Sequence, residues 1–562
     1  MYESYLLMLK KIKFAKTSII LNHKPIMNKS CPFLLTLIFS VSTLTAYSQY
    51  LNSDPDGPGY DENCTTIMVG RLASTDGSVM TSHSCDGNYR TWVEIIPHAK
   101  HESGSMHPIY WGTLNTEESR DMLNVSKKGE IPEASETFAY LSTAYPCMNE
   151  KQLAIGETTI YGRQELKNEN GLFLIEELEK IALQRCTTAR EAIALIGRLA
   201  EEFGYADLAE CITIADPKEV WQLEISGSGQ GKPSSLWCAQ RIPDDHVGIC
   251  ANIPRISTVD FKNSDMFMYS SNLKTAAKEL GYWDGKEPLK FWKIINGKKP
   301  FAIRDYYVLS TLAPSLSLSF DAEELPFSVK PEKKLSAQDV MKFFRETYEG
   351  TQWDMTKNLM ITIKKKDANG NDIEEKVKSP MASNWINNDW RTLINELKPG
   401  TLERQRTIAI TACSYSHVIQ CRSWLPDEVG GIAWFSFDNP GQSPRIPIFS
   451  GVLKLPSSFS ICGQKRYRTD AALWSFRETN RLATVNWSRS RTLLEPAVKE
   501  FEQKAIEELP MVENKVKELV KEGKNDEAKN YVTAYTSSFA GSAMNRWQEM
   551  KITLWGMYGR GF

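Results

Sequence analysis

The sequence changes character abruptly at Cys64, and this boundary limits what the chain can fold into. The 15 residues before it (49–63, QYLNSDPDGPGYDEN) are rich in Pro, Gly and Asp and lack apolar periodicity, which is typical of a flexible lead-in. Residues 65–72 are β-branched and apolar, Thr75-Asp76-Gly77 is a turn signal, and Ser78–Ser84 supplies a returning strand. The sequence therefore predicts a tight β-hairpin with Cys64 at the very start of its first strand.

The segment that begins at Met27 has the pattern of a secretory signal peptide. Lys29 gives a positive start, residues 33–44 form an apolar run, and Ala46-Tyr47-Ser48 carries the small residues of a cleavage site. The apolar run is too short for a membrane-spanning helix, which needs about 20 residues. We therefore expect residues 1–48 to be an N-terminal extension and signal peptide, and residues 49–63 to be a propeptide or lead-in. The mature protein should be secreted or periplasmic without a stable membrane span, and an N-terminal membrane anchor is the alternative.

Composition argues against several classes of function. The 562 residues carry a formal charge of −2, from 67 basic and 69 acidic side chains, whereas a nucleic-acid-binding protein normally has a basic excess or stripe. No CxxC motif and no Cys/His cluster at zinc spacing occurs, so neither a metal nor another cofactor is expected. Nine of the 11 cysteines remain beside Cys31 and Cys64, an odd number, which predicts at least one unpaired thiol unless it bonds to another chain.

Beyond the hairpin, helical and strand-like segments alternate along the chain. Residues 358–378 read as a hairpin insertion around Asn369-Gly370-Asn371, and residues after about 490 are rich in Lys and Glu with helical periodicity. These patterns predict an α+β layered domain over residues 64–488 and a helical C-terminal region over 489–562. The predicted helices are 171–185, 188–203 (with a capping box from Thr188 to Glu191) and 336–348, and the predicted strands are 209–215, 220–225, 247–251, 407–413 and 431–437.

Cys64 is the strongest candidate for a catalytic residue. A lone cysteine usually behaves as a small buried apolar residue. Cys64, however, stands where a lead-in gives way to an ordered strand, the place where cleavage is easiest, and the chain has no GxSxG motif. Cleavage before Cys64 would give one residue both a thiol nucleophile and an α-amine with a pKa of about 7.7–8.0, which is able to accept the thiol proton.

The stretch CTTIMVGRLASTDGS (64–78) resembles the opening of the dipeptidase A family, which is related to the secernins and more distantly to penicillin V acylase and bile-salt hydrolase. The segments NEKQLAIGE (149–157), YEGTQWD (348–354) and SHVIQCR (416–422) resemble later parts of the family, so the resemblance covers most of residues 64–450. It implies an N-terminal nucleophile hydrolase with a four-layer αββα sandwich, to which the C-terminal helices are appended.

The resemblance also implies roles for three residues of the hairpin and beyond. Asp86 matches the aspartate that orients the nucleophile's amine, and a turn aspartate is the alternative. His83 stands where the acylases carry arginine, and a histidine lacks that permanent charge and fork-shaped donor set. Asn252, in the segment CANIP (250–254), matches an oxyanion-binding segment; the alternative is an asparagine that caps a loop.

His83 and Asn149 are possible contacts with substrate or oxyanion. Thr158 and Thr159, in the segment that follows NEKQL, are two more, because they stand near the position of the acylases' second oxyanion donor. His417 suggests a catalytic cysteine–histidine pair with Cys64. A structural role, or a place in the lining of the substrate cleft, is favoured for it instead. The arginine that the acylases use late in their domain has no unambiguous match.

These features predict a secreted dipeptidase that hydrolyses small peptides through Cys64 and a thioester acyl-enzyme. A linear amidase of the penicillin V acylase or bile-salt hydrolase kind would use the same residues, and a non-catalytic secreted binding protein on the same fold is the other alternative. No nucleic-acid partner is expected, and the sequence is compatible with a homo-oligomer.

Overall fold

A computed structural model of the protein describes residues 64–119 and 121–560. The predicted signal peptide and the lead-in at 49–63 lie outside these residues. Most of the strands lie in the first half of the described chain. They are β1 (Thr66–Val69), β2 (Val79–Asp86), β3 (Glu94–Ile96), β4 (Ala99–Lys100), β5 (Met106–Trp111), β6 (Ser126–Pro132), β7 (Glu136–Thr137), β8 (Tyr140–Ser142), β9 (Met148–Asn149), β10 (Ala154–Thr159), β11 (Ala209–Ala215), β12 (Val220–Gly227), β13 (Ser235–Ile242), β14 (Val247–Cys250), β15 (Phe267–Tyr269), β16 (Ser328–Val329), β17 (Met360–Lys366), β18 (Asp372–Lys378), β19 (Cys413–Cys421), β20 (Ile432–Phe437) and β21 (Ile446–Phe449).

The helices are short in the middle of the chain and long at its C-terminal end. They are α1 (Ile175–Arg185), α2 (Ala189–Phe203), α3 (Leu273–Glu279), α4 (Phe291–Ile295), α5 (Ile303–Leu312), α6 (Ala337–Phe343), α7 (Asn388–Leu397), α8 (Asp427–Gly430), α9 (Ala472–Ala483), α10 (Trp487–Lys521) and α11 (Asn525–Tyr558). None of the helices in the described ranges is both long and apolar enough to cross a membrane.

Two large antiparallel sheets hold most of the described strands. One runs in the order β16-β14-β1-β2-β19-β20-β21 and the other in the order β15-β13-β12-β11-β10-β9-β8-β3. Strand β1 pairs with β14 along its whole length, and an isolated bridge joins Thr65 to Ser84. The hairpin formed by β1 and β2 therefore lies in the middle of its sheet, and the start of β1 lies beside the end of β2.

The two sheets face each other at close range where β10 crosses β2. A Cβ atom at Gly156 would lie 2.2 Å from the carbonyl oxygen of Ser82, so only glycine fits there. Beside it the hydroxyls of Thr81 and Thr213 meet across the interface at 2.6 Å. The hydroxyl of Thr158 reaches that of Thr66 at 3.3 Å. Small and hydroxyl-bearing residues thus let the two backbones approach.

Helices cover the outer faces of both sheets. Helices α1 and α2 pack on the eight-stranded sheet, whereas α5, α6, α9 and α11 pack on the seven-stranded sheet. One hydrophobic core extends from β1 through both sheets into the C-terminal helices, where it includes Phe501 and Trp547. The C-terminal helical region therefore shares the core of the sheets.

Most of the predicted elements are confirmed. The hairpin insertion forms as β17 and β18, β11 has the predicted bounds, and Thr188 caps α2 with its capping box. The helix predicted over 336–348 is shorter and ends at Phe343. All ten cysteines of the described residues are free and buried, which agrees with the expectation of at least one unpaired thiol.

The strand predicted at 407–413 is wrong, because β19 begins only at Cys413. The residues before it form an irregular buried segment, in which the Thr407 hydroxyl donates to the carbonyl of Ala409 at 2.6 Å. The N–H of Ala409 donates to the carbonyl of Glu346 instead of to a neighbouring strand. Side-chain and loop partners therefore replace the sheet hydrogen bonds that the apolar pattern suggests.

The approach of β10 to β2 generates a stability prediction. The substitution Gly156→Ala should destabilise the fold by about 1–3 kcal/mol, because its methyl group collides with the backbone of Ser82. Denaturant unfolding of the purified variant measures this loss. Gly541→Ala is the matched control, since Gly541 lies in α11 with no atom of another segment within 4 Å, and alanine is the better helix former. Equal stability of the two variants would contradict the proposed packing.

Candidate active site

Cys64 lies at the head of β1 and is 1% exposed. The backbone just after it is fixed to the end of β2, because the N–H of Thr65 donates to the Ser84 hydroxyl at 3.1 Å and the N–H of Ser84 donates to the Thr65 carbonyl at 3.0 Å. Asp86, at the end of β2, lies close enough to Cys64 for its backbone and its charge to act on the thiol. The predicted nucleophile and the predicted aspartate are therefore neighbours, as the hairpin requires.

The carboxylate of Asp86 is fully buried and partly paired. Its Oδ2 accepts from Nη2 of Arg406 at 2.8 Å and from the Ser84 hydroxyl at 3.1 Å. Its Oδ1 has no hydrogen-bond partner among the described residues. A buried carboxylate oxygen without a donor is costly, so this atom can accept a further hydrogen bond.

Arg304 of α5 ties the segment around Cys64 to the segment around Asn252. One arm of its guanidinium, Nη1, donates to the Cys64 carbonyl at 2.7 Å and to the Thr65 hydroxyl at 3.0 Å. The other arm, Nη2, donates to the Ala251 carbonyl at 3.2 Å and to Oδ1 of Asn252 at 2.8 Å. The planar fork of arginine suits this double role, which a lysine could not reproduce.

Asn252 has a left-handed backbone with φ of 66°, a conformation that asparagine tolerates better than most residues. Its Nδ2 donates to the Thr159 carbonyl at 2.6 Å, while Arg304 holds its Oδ1. A side-chain amide has two N–H donors, and this bond uses one of them. The structure therefore fixes the amide beside the nucleophile's strand with a second donor to offer.

Both predicted threonines on β10 lie at the site, but their hydroxyls have partners already. The Thr158 hydroxyl donates to the Glu157 carbonyl at 2.7 Å and contacts the Thr66 hydroxyl. The Thr159 hydroxyl donates to Oε1 of Glu157 at 3.2 Å. Their immediate roles are to hold β10 against β1 and to orient Glu157.

Cys64, His83 and Glu157 form a buried cluster, in which one ligand-type atom of each lies within 4.8 Å of the other two. Nδ1 of His83 lies 2.5 Å from the Glu157 carbonyl oxygen and 3.8 Å from its carboxylate oxygen Oε2. Burial lowers the pKa of His83 to about 4, so this ring is neutral at pH 7 and does not supply an arginine-like charge. Thiolate, imidazole and carboxylate are ligands that zinc accepts, and the same three groups can exchange a proton.

The electrostatics of this cluster oppose a thiolate. Burial raises the pKa of the Cys64 thiol well above its usual value, and the nearby acidic side chains of Glu157 and Asp86 raise it further. Burial also raises the pKa of Glu157 to about 7, and its buried neighbour Glu210 has a raised pKa as well. The thiol therefore needs a base or a positive charge in order to react.

Two other predicted residues are not part of the cluster of Cys64, His83 and Glu157. Asn149 lies apart from it, and His417 contacts only its histidine ring. Nδ2 of Asn149 donates to the carbonyls of Leu183 and Cys186 at 2.8 and 2.9 Å, so the side chain fastens the end of α1. The His417 ring is tilted by 36° against that of His83, with centroids 5.4 Å apart, and neither of its nitrogens has a hydrogen-bond partner among the described residues. The structure thus does not bring Asn149 to the nucleophile, and His417 contacts the cluster through the ring of His83.

Comparison with known proteins identifies the family of the chain. The family model of "Peptidase family C69" matches residues 63–500. The chain belongs to peptidase family C69. It is 26% identical to a probable dipeptidase of Latilactobacillus sakei, over 69% of this chain and 74% of the relative. It is 22% identical to dipeptidase A of Lactobacillus helveticus, over 87% of this chain and 95% of the relative, and 24% identical to a probable dipeptidase of Salmonella dublin, over 69% and 81%.

The sequence did not predict three residues of this C69 peptidase site, namely Glu157, Arg304 and Arg406. Glu157 lies inside the segment that carried the resemblance, but nothing marked it as chemically distinct. Arg304 and Arg406 lie far along the chain, and each reaches the site only through tertiary contacts. The one signal available for Arg304 was a charged residue near the start of a largely apolar helix, IRDYYVLSTL.

The raised pKa of Glu157 generates a prediction about the stability of the C69 peptidase. The pKa of Glu157 is about 7 in the folded protein and about 4.3 in the unfolded chain. Protonation of Glu157 therefore stabilises the fold in full below about pH 4.3, and this stabilisation is lost as the pH rises through about 7. Glu157→Gln imitates the protonated form. The variant should therefore gain on the order of 2–3 kcal/mol relative to wild type between pH 5 and pH 8 in denaturant titrations.

Glu518→Gln is the control for this measurement, because the Glu518 side chain is 68% exposed on α10. Its stability should run parallel to that of wild type across the same pH range. A Glu157→Gln curve that also ran parallel to wild type would contradict a raised pKa at the cluster.

Proposed function

We propose that this C69 peptidase is a secreted dipeptidase whose nucleophile is the thiol of Cys64, once cleavage before Cys64 has freed its α-amine. Membership of a peptidase family supports the reaction class, and the dipeptidase names of its relatives support small peptides as substrates. The signal-like segment from Met27 supports export. The proposal includes the fold of the N-terminal nucleophile hydrolases. It is supported by the two facing sheets of this protein, which lie between layers of helices.

The observation that carries the proposal is the partly paired carboxylate of Asp86 beside Cys64. Its Oδ1 is buried without a donor among the described residues, and its charge acts on the Cys64 thiol. A freed α-ammonium at Cys64 would supply the missing donor and a positive charge in the same step. Asp86 is thus assigned the role of holding the amine that serves as the base.

In the proposed acylation, the neutral α-amine of Cys64 takes the thiol proton while the sulfur attacks the scissile carbonyl carbon. The resulting ammonium then gives its proton to the leaving nitrogen as the C–N bond breaks, and a thioester to Cys64 remains. Water, deprotonated by the same amine, attacks the thioester carbonyl and restores the thiol. One group therefore acts as base and then as acid in each half of the reaction.

Asn252 is assigned to the oxyanion of the tetrahedral intermediates. The Nδ2 group has a second N–H available, and Arg304 and the Thr159 carbonyl fix the plane of the amide. Donors that are held in place before the reaction stabilise a developing charge without reorganisation. Arg304 acts through Asn252 and the Cys64 carbonyl, and is a positioning residue.

The proposal makes a direct prediction about maturation. Signal peptidase would cut after Ser48 and leave residues 49–63 in front of Cys64, so a second cut between Asn63 and Cys64 is required. If the Cys64 thiol itself attacks the Asn63 carbonyl, the C–N bond breaks, the freed amine takes the proton, and water opens the thioester. Cys64→Ala should then remain about 15 residues longer than wild type, from the signal cleavage site, and should be inactive.

Intact-mass measurement of the two secreted proteins tests this prediction, together with hydrolysis of a panel of dipeptides and N-acyl amides. Equal trimming of both proteins would assign the second cut to another protease and leave the amine mechanism intact. An active wild-type enzyme that still carried residues before Cys64 would overturn the proposal, and activity on N-acyl amides alone would favour the amidase.

A second prediction concerns Asn252. Asn252→Ala should lower kcat by about 10²–10³ with little change in KM, because an oxyanion donor acts in the transition state. Alanine is also strained at a φ of 66°, so Asn252→Asp is the companion variant, which tolerates the left-handed backbone and keeps an acceptor for Arg304. Steady-state kinetics on a dipeptide measure both, and near-normal turnover of folded Asn252→Asp would contradict the oxyanion role.

A further inference from the structure

Glu157 on β10 is fully buried beside the nucleophile, and one of its carboxylate oxygens has no donor. Its Oε1 accepts from the Thr159 hydroxyl at 3.2 Å. Its Oε2 accepts no hydrogen bond from any of the described residues and lies 3.8 Å from Nδ1 of His83, a ring that is neutral at pH 7. Because a buried carboxylate oxygen without a donor is costly, Oε2 can accept a hydrogen bond from a ligand.

The acids around Glu157 have no basic side chain to balance them. Glu210 lies opposite Thr159 on the neighbouring strand β11, is buried, and also has an unpartnered Oε2. In the part of the chain that the structure describes, no lysine or arginine forms an ion pair with Glu157 or Glu210. Burial raises the pKa of both carboxyls. A cationic ligand would stabilise the ionised form of Glu157, since it would supply the missing opposite charge.

The distance from Glu157 to the nucleophile matches the position of a cation in a dipeptide. A carboxylate oxygen of Glu157 lies within 4.8 Å of the Cys64 sulfur. A sulfur about to attack lies about 3–3.5 Å from the scissile carbonyl carbon. The free α-ammonium of the first residue is two bonds from that carbon, at about 2.5 Å. The ammonium therefore lies within about 6 Å of the sulfur in any orientation of the dipeptide, which is within hydrogen-bonding reach of Glu157.

The other acids near the site are less suited to this cation. Asp86 lies on the strand next to Cys64, its Oδ2 is paired with Arg406, and its Oδ1 is assigned above to the α-amine of Cys64 itself. Glu179 has two unpartnered carboxylate oxygens, but it lies on α1 and is not a member of the cluster with Cys64. Glu157 reaches the sulfur from the opposite sheet, so it is the acid that remains for the substrate.

We infer that the carboxylate of Glu157 binds the free α-ammonium of the substrate's first residue. This inference rests on the proposed function, and it narrows the substrates to peptides with an unblocked N-terminus. An N-acyl amide has no ammonium at this position, so its binding would bury Glu157 without a partner. A site that loses a buried polar partner in this way discriminates strongly against the uncharged analogue.

The test compares leucyl-phenylalanine with 4-methylpentanoyl-phenylalanine, which has the same shape but carries hydrogen in place of the ammonium. The kcat/KM of the secreted wild-type enzyme should be about 10²–10³-fold higher for leucyl-phenylalanine, because only this substrate pairs with the buried acid. Glu157→Gln should lower kcat/KM for leucyl-phenylalanine by about the same factor and leave that for the uncharged substrate nearly unchanged. Glu157→Asp should retain part of the preference, since it keeps the charge on a shorter side chain.

Glu179→Gln is the matched control, because it makes the same chemical change at a buried acid with unpartnered oxygens outside the cluster. It should keep the full preference for the ammonium. Equal hydrolysis of the two substrates by wild type, or an undiminished preference in Glu157→Gln, would overturn the inference. So would a Glu157→Gln enzyme that loses activity on both substrates to the same extent, since that result indicates a structural role.

A binding measurement separates this inference from the proposed function. The probe is the uncleavable ketomethylene analogue of leucyl-phenylalanine, in which CH₂ replaces the peptide N–H, prepared with and without its amino group. Hydrolysis of leucyl-phenylalanine without a preference for the ammonium would overturn the inference and leave the dipeptidase proposal standing. If titration calorimetry finds ammonium-selective binding that is lost in Glu157→Gln, while no dipeptide is hydrolysed, the proposed function fails and Glu157 remains an ammonium site.

Discussion

The site depends on the close approach of β10 to β2 at Gly156. Because Gly156 has no side chain, the backbone of β10 can lie against the carbonyl of Ser82, and the two sheets meet with little between them. This contact brings the next two residues of β10, Glu157 and Thr158, to residues of the opposite sheet. A larger residue at position 156 would separate the acid and hydroxyl groups of one sheet from the thiol of the other.

The parts of the site that the sequence could predict are those that a single hairpin brings together. Cys64 and Asp86 lie 22 residues apart, at the start of β1 and the end of β2, so a correct hairpin places them side by side whatever the rest of the chain does. The guanidinium that joins Cys64 to Asn252 could not be found in this way. Arg304 lies 240 residues from Cys64, and its position follows only from the packing of α5 against β14.

The irregular segment before β19 shows how tertiary contacts override a local pattern. Residues 407–413 (TIAITAC) are apolar and β-branched enough to read as a strand. Arg406, however, is drawn to the Asp86 carboxylate, and the N–H of Ala409 is bonded to Glu346. The buried ion pair and the loop bonds keep these residues out of the sheet.

The electrostatics explain why the proposed placement of Cys64 at a chain terminus would matter more than the acidity of its thiol. Burial and the neighbouring Glu157 and Asp86 charges all favour the protonated thiol, so a thiol held within a continuous chain at this site is a poor nucleophile. Arg406 offsets part of the Asp86 charge but binds only one carboxylate oxygen. An α-ammonium on Cys64 itself would add the missing positive charge next to the sulfur and, in its neutral form, accept the thiol proton. In the mechanism proposed above, cleavage before Cys64 would thus supply a neutral amine as the base and, once that amine has taken the thiol proton, a positive charge beside the thiolate.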